Sequence, residues 1–151
     1  MPDKARTLIA WDTMVIIDCL QKTAGQYQFI DPLVKEAEDE KLMVVVSVMA
    51  IAETYKLNGR TTEEAVHIID DFFVLPWVHP EDAGQAIAKS AAQLCRDYGI
   101  VNPDATHVAT AKFTNCTVFL TRDGVRKRRN KKDNPPLLPL ARFIHPPDLF
   151  S

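Results

Sequence analysis

Three short apolar runs, each closing on a polar residue, constrain this chain most: residues 7–12 read TLIAWD, 42–47 LMVVVS and 117–121 TVFLT. About five consecutive apolar, β-branched-rich residues fit a strand buried on both faces, the habit of a parallel sheet. Parallel strands need crossover connections, and the stretches between the runs carry helical patterns. Ser47 predicts a cap for a helix through Met49, Ala52, Glu53 and Tyr55 that stops at Asn58-Gly59. Thr61 and Glu64 fit a capping box ahead of Ala65, Ile68, Ile69 and Phe72 at helical spacing. A longer helix is expected from about Pro80 to Tyr98, burying Ala83, Ile87, Ala91, Leu94 and Tyr98 and ending at Gly99. Asn102-Pro103 supplies a cap and a proline for the first position of a helix through Ala105, Val108 and Ala111. Strands alternating with helices predict a three-layer α/β/α sandwich around a central, mainly parallel sheet.

The 151 residues fit a single domain over 1–151, with a core of about 7–149. A formal charge of −2 does not by itself mark a nucleic-acid binder, but the charge is uneven. Residues 122–132 (RDGVRKRRNKK) are strongly basic, whereas 31–40 (DPLVKEAEDE) are mostly acidic. The basic and proline-rich stretch 122–140 is expected to be the most mobile part, followed by a short edge strand at 141–145. Cys19, Cys95 and Cys116 are isolated from one another and lack CxxC or Cys/His partners, which argues against a zinc site or a disulfide framework. The apolar runs are too short to span a bilayer, and the N-terminus shows no signal peptide, so a cytoplasmic protein with no membrane partner is expected. Trp11, Tyr27, Trp77 and Phe113 are expected in the core or at an interface.

In an open parallel sheet, chemistry gathers at the carboxyl ends of the strands. Asp12 ends the first run, Asp123 follows the third by two residues, Glu53 is expected two turns into the helix after the second, and Asp104 opens its own helix. Four acids from four segments therefore converge on one rim. Crowded carboxylates raise one another's pKa unless a cation neutralises them. An all-oxygen set suits Mg²⁺ or Mn²⁺ better than zinc, and such ions serve phosphoryl chemistry. Each acid also has an ordinary explanation: a dipole partner at Asp104, a turn at Asp123-Gly124, a strand-end cap at Asp12, a solvent-facing side chain at Glu53. Asp18 on the first helix reads as a solvated or capping acid, and His107 as a side chain that packs or hydrogen-bonds its helix.

These segments resemble the PIN domain family. Residues 12–18 (DTMVIID) look like its opening motif, 47–53 (SVMAIAE) its second, 102–111 (NPDATHVATA) its third and 121–123 (TRD) its fourth, in order and at suitable spacing. Length and layout are most similar to VapC-type toxins of toxin–antitoxin systems. The resemblance implies a Mg²⁺- or Mn²⁺-dependent endoribonuclease that leaves 5′-phosphate and 3′-hydroxyl ends. Asp12, Glu53, Asp104 and Asp123 would be its catalytic and metal-binding acids, supported by Thr121 and Thr13. It also implies a cognate antitoxin, whose C-terminal segment would lay an arginine or lysine over the acids, and a homodimer. Met14 departs from the family's usual asparagine. Arg122, Arg126, Lys127, Arg128 and Arg129 are candidates for contact with RNA phosphates.

Two rivals share this scaffold: a housekeeping RNA-processing nuclease, and a PIN-like module that binds RNA or protein without cutting. Two other folds with a strand-end aspartate fit less well. A haloacid-dehalogenase-like phosphatase needs a second aspartate where Met14 stands, and a receiver module needs an acceptor aspartate and a lysine that Ser47 and Thr121-Arg122 do not supply.

Overall fold

The computed structural model describes residues 6–121 and the backbone of a last strand at Arg142–Ile144. Its strands are β1 (Thr7–Trp11), β2 (Leu42–Ser47), β3 (Val78–Glu81), β4 (Val118–Leu120) and β5 (Arg142–Ile144). They form one sheet in the order β3-β2-β1-β4-β5, and every neighbouring pair is parallel. The described helices are α1 (Thr13–Gln21), α2 (Tyr27–Glu38), α3 (Met49–Glu53), α4 (Thr62–Phe73), α5 (Gln85–Tyr98) and α6 (Asn102–Phe113).

Strand geometry turns alternate side chains to opposite faces, and the buried residues sort accordingly. Ile9, Trp11, Val44, Val46 and Leu120 share one core with Ile16, Ile30, Leu33 and Phe72 from α1, α2 and α4. Ala10, Val45 and Phe119 share the other with Ile87, Ala91, Leu94, Ala105 and Val108 from α5 and α6. Helices thus cover both faces, as the unbroken apolar runs require. Trp11 anchors the first core, with ring centroids 6.3 Å from Phe72 and 6.4 Å from Trp77.

Local chemistry sets most helix ends. The Thr61 hydroxyl accepts from the Glu64 amide at 3.2 Å and faces the Glu64 carboxylate at 3.1 Å, so the expected capping pair starts α4. Gly99 closes α5 at φ 67, a left-handed conformation that glycine adopts without steric cost.

The structure corrects several expectations. Residues expected to begin the long helix at Pro80 instead form β3, and α5 starts only at Gln85 behind Gly84. The edge position of β3 tolerates Pro80, since the missing N–H breaks no ladder on its outer side. Tyr98 is 36% exposed rather than buried. The helix after β2 is only five residues long, so Glu53 is its last residue, not a side chain in its middle. The Ser47 hydroxyl does accept from the Met49 amide at 3.2 Å, but the chain then leaves the helix and buries Leu57 against Ala65 and Ile69. Helix α2 carries Pro32 inside it and was not legible in the pattern. The basic, proline-rich stretch 122–140, expected to be the most mobile part, lies outside the described residues.

Candidate active site

The carboxyl end of β1 places the first acid. Asp12 follows Trp11, and the β1–β4 register pairs Trp11 with Leu120, which sets Thr121 beside Asp12. Asp12 has extended backbone angles (φ −72, ψ 158) and caps α1: its Oδ1 accepts from the Thr13 amide at 2.8 Å. Its Oδ2 accepts from the Thr121 hydroxyl at 3.2 Å. Both carboxylate oxygens are therefore oriented by the chain.

Glu53 reaches the same rim from the end of α3, and two side chains meet it. The Thr13 hydroxyl donates to Glu53 Oε1 at 3.0 Å. His107 Nε2 lies 2.5 Å from that oxygen and 3.1 Å from Thr13 Oγ1. His107 comes from α6, one turn beyond Asp104, and is 2% exposed. Its Nδ1 is buried without a hydrogen-bond partner among the described residues. Thr13, Glu53 and His107 thus close a contact among α1, α3 and α6. Asp104 sits half-buried in the first turn of α6, and its negative charge bears on His107.

Electrostatics follow from this packing. Burial pushes the Asp12 carboxyl above its ordinary value of 3.8, against the opposing pull of His107 and the Thr13 and Thr121 hydrogen bonds. The His107 hydrogen bond holds Glu53 below its ordinary 4.5, with burial acting the other way. Burial alone would lower the His107 pKa, but the Glu53 hydrogen bond and the charges of Asp12, Glu53 and Asp104 outweigh it and hold the imidazole above 6.5. The imidazole is thus buried against Glu53, with the charges of Asp12 and Asp104 also favouring its protonated form.

Among the described residues, no group of three or more His, Cys, Asp and Glu side chains could by itself hold a metal ion. The donors present nonetheless fit a hard divalent cation: Asp12 and Glu53 offer carboxylate oxygens, and no thiol joins them. Burial is the main cause of the raised Asp12 pKa, a cost to the charged carboxylate that a bound cation would offset. Asp123, the fourth acid of the expected set, lies outside the described residues, as do Arg122, Arg126, Lys127, Arg128 and Arg129.

Thr121 bonds Asp12, and Thr13 bonds both Asp12 and Glu53. His107 has a larger part than helix packing, and its i, i+3 spacing from Asp104 was the signal. Asp18 is corrected from solvated to buried, at 2% exposure. It lines a cleft of about 370 Å³ beside the acids, together with Met14, Ile17, Gln21, Thr23, Glu53, Tyr55, Lys56 and Asn58. Tyr55, which sequence reasoning placed only on a helix, stands 69% exposed there. Trp11 and Trp77 are core residues, whereas Phe113 is 56% exposed.

The model of the PIN domain family matches residues 9–132. No curated protein matches the chain significantly. Among solved structures, a toxin–antitoxin complex from Klebsiella pneumoniae is 20% identical with a TM-score of 0.60, over 91% of this chain and 97% of that one. VapC20 from Mycobacterium tuberculosis, described as a sarcin–ricin loop cleaving toxin, is 15% identical with a TM-score of 0.59, over 74% and 86%. VapBC2 from Rickettsia felis, bound to a promoter DNA fragment, is 16% identical with a TM-score of 0.58, over 77% and 88%. At such identities the likeness is one of fold.

Proposed function

The chain belongs to the PIN domain family, and from that premise we propose that it is a Mg²⁺- or Mn²⁺-dependent endoribonuclease, the toxin of a toxin–antitoxin pair. The observation that carries the nuclease reading is the meeting of Asp12 and Glu53 through Thr13 at the carboxyl rim of the sheet, with His107 bonded to Glu53 and Asp104 one turn before it on α6. The toxin reading rests on fold likeness to structures of toxin–antitoxin complexes.

In this mechanism Asp12, Glu53, Asp104 and Asp123 hold the metal. When bound, the ion supplies a lowered water pKa and charge stabilisation at the phosphodiester. The protein's own part is orientation. The Thr13 amide and Thr121 hydroxyl fix the two oxygens of Asp12, so its lone pairs enter the site with little freedom left to lose. Thr13 and His107 both bind Glu53 Oε1, which leaves Oε2 for a ligand. When protonated, the imidazole offsets part of the repulsion that the acids exert on an approaching phosphate. Arg122, Arg126, Lys127, Arg128 and Arg129 meet the RNA backbone, and cleavage leaves 5′-phosphate and 3′-hydroxyl ends.

The partners in this reading are RNA, a second copy of the chain, and an antitoxin that lays a cationic side chain over the acids. Its place is the cytoplasm; no described helix is long and apolar enough to cross a membrane. The test is incubation of purified protein with single-stranded and structured RNA and Mn²⁺ or Mg²⁺. Cleavage is expected, and is expected to vanish with EDTA, with Asp12→Asn or with Asp104→Asn. Undiminished cleavage in those variants, or insensitivity to chelation, rejects the assignment. Growth arrest on expression, relieved by a neighbouring small gene, separates a toxin from a housekeeping nuclease.

A further inference from the structure

We propose that the cleft between α1 and the chain following α3 is a nucleotide subsite, in which a base of single-stranded RNA stacks on Tyr55 while Lys56 meets its phosphate. This inference rests on the nuclease reading and deepens it by assigning where the strand lies next to the acids.

The cleft holds about 370 Å³ and Glu53 forms part of its wall, so it is continuous with the acidic rim. A ligand in it lies beside the reacting centre. Tyr55 stands two residues beyond Glu53, past the end of α3, with 69% of its surface in solvent. A large aromatic ring left this exposed gains nothing for the fold, and aromatic faces are what unpaired bases stack on. The Lys56 ammonium lies 5.8 Å from the Tyr55 ring centroid, on one of its two faces. Cation and ring therefore stand together, the pairing that a nucleotide's phosphate and base require.

Charge decides the orientation. Asp18 and Glu53 also line the cleft, so a phosphate held against them would meet two carboxylates. The phosphate accordingly lies at the Lys56 side and the uncharged base enters. Met14, 39% exposed and lining the same cleft, offers an apolar surface to the base. A base paired in a duplex presents no free face to Tyr55, so the subsite selects unpaired RNA.

The backbone is positioned for this. The Asn58 amide donates to Gln21 Oε1 at 2.6 Å and ties the segment after Tyr55 to α1, while Leu57 is buried. Tyr55 and Lys56 project from a segment pinned on both sides, since the Thr54 hydroxyl also bonds the Ala50 carbonyl at 2.7 Å.

The experiment measures binding apart from cleavage. A fluorescein-labelled single-stranded RNA of about twelve nucleotides is titrated with protein in Ca²⁺, and its anisotropy is followed. Tyr55→Ala is expected to weaken binding roughly 5- to 150-fold, the range for loss of one base–aromatic stack. Tyr55→Trp is expected to bind within about twofold of the native chain, because the stacking face is kept. Lys56→Gln is expected to lower the salt-dependence slope by about one phosphate contact. Under Mn²⁺, Tyr55→Ala raises KM for the same RNA more than it lowers kcat. Equal RNA affinity for native and Tyr55→Ala proteins overturns the subsite, as does native protein that holds duplex and single strand alike. Loss of a protein partner in Tyr55→Ala with RNA binding intact also overturns it and gives the cleft to that partner. Native protein that binds RNA through Tyr55 but never cleaves it keeps the subsite and rejects the nuclease reading.

Discussion

Removing the imidazole at position 107 tests the electrostatic account of the site directly. His107→Ala deletes a buried ring, its bond to Glu53 at 2.5 Å and its 3.1 Å contact with Thr13. Part of the cost is the cavity and part is the lost interaction, and a double-mutant cycle with Glu53→Ala separates them. A hydrogen bond between charged groups contributes about 1.5–3 kcal/mol when well shielded. The Glu53 side chain is 34% exposed, so solvent screening reduces the expected coupling to about 1–2 kcal/mol. The pH dependence has a definite sign. His107 has its folded pKa raised, so its contribution is fully present below its ordinary 6.5 and is lost as pH rises through the higher folded value. Glu53 has its folded pKa lowered, so its contribution is present above its ordinary 4.5 and is lost as pH falls through the lower folded value. The coupling is therefore greatest between 4.5 and 6.5. Urea denaturation of the four proteins in EDTA, at about pH 6 and about pH 9, measures it. A coupling under about 0.5 kcal/mol at the lower pH, or one that grows towards the higher, refutes the ion-pair reading.

Other predictions concern the remaining groups. Asp12→Asn keeps a good helix cap and removes a carboxylate that burial disfavours, so the metal-free variant is expected to be at least as stable as the native chain near neutral pH while losing cleavage. Because the folded Asp12 pKa is raised, the native chain should lose stability relative to the variant as pH climbs above 3.8; a urea midpoint showing a deficit above about 1 kcal/mol in the variant at neutral pH contradicts this. Burial pushes the Cys19 thiol up to about 12, so it should resist alkylation by iodoacetamide at neutral pH until the chain unfolds; mass spectrometry of the labelled native protein checks this. Phe72→Ala, which empties the aromatic packing around Trp11 and Trp77, should cost about 3–5 kcal/mol by chemical denaturation.

The sheet was the most legible part of this chain, and for a physical reason. Runs such as LMVVVS are buried on both faces, and burial writes itself into composition. Helix ends with a local chemical cause, at Thr61 and Gly99, were legible too. What failed was whatever tertiary packing decides. Pro80 looked like a helix start because nothing local reveals that a strand will lie at the edge of the sheet. The break after Glu53 depends on burying Leu57 against α4, a contact invisible along the sequence. At the site, Asp12 could be placed by strand position, whereas the parts of Thr13 and Thr121 came only with the family resemblance. The approach of His107 to Glu53 joins residues 54 apart, and the exposure of Tyr55 follows from where α3 stops.

The central place of β1 has a consequence for synthesis. Asp12 leaves the ribosome well before Thr121, whose hydroxyl orients it and which follows 109 residues later. The strand beside it, β4, also arrives late, and contacts of such sequence separation form only after the intervening chain is available to close the loop. An emerging chain therefore carries Asp12 unaided until α6 and β4 have been made and docked. Whatever chemistry this rim performs is withheld until β4 and Thr121 have been made, so a product truncated before them has the first acid without the arrangement that puts it to use.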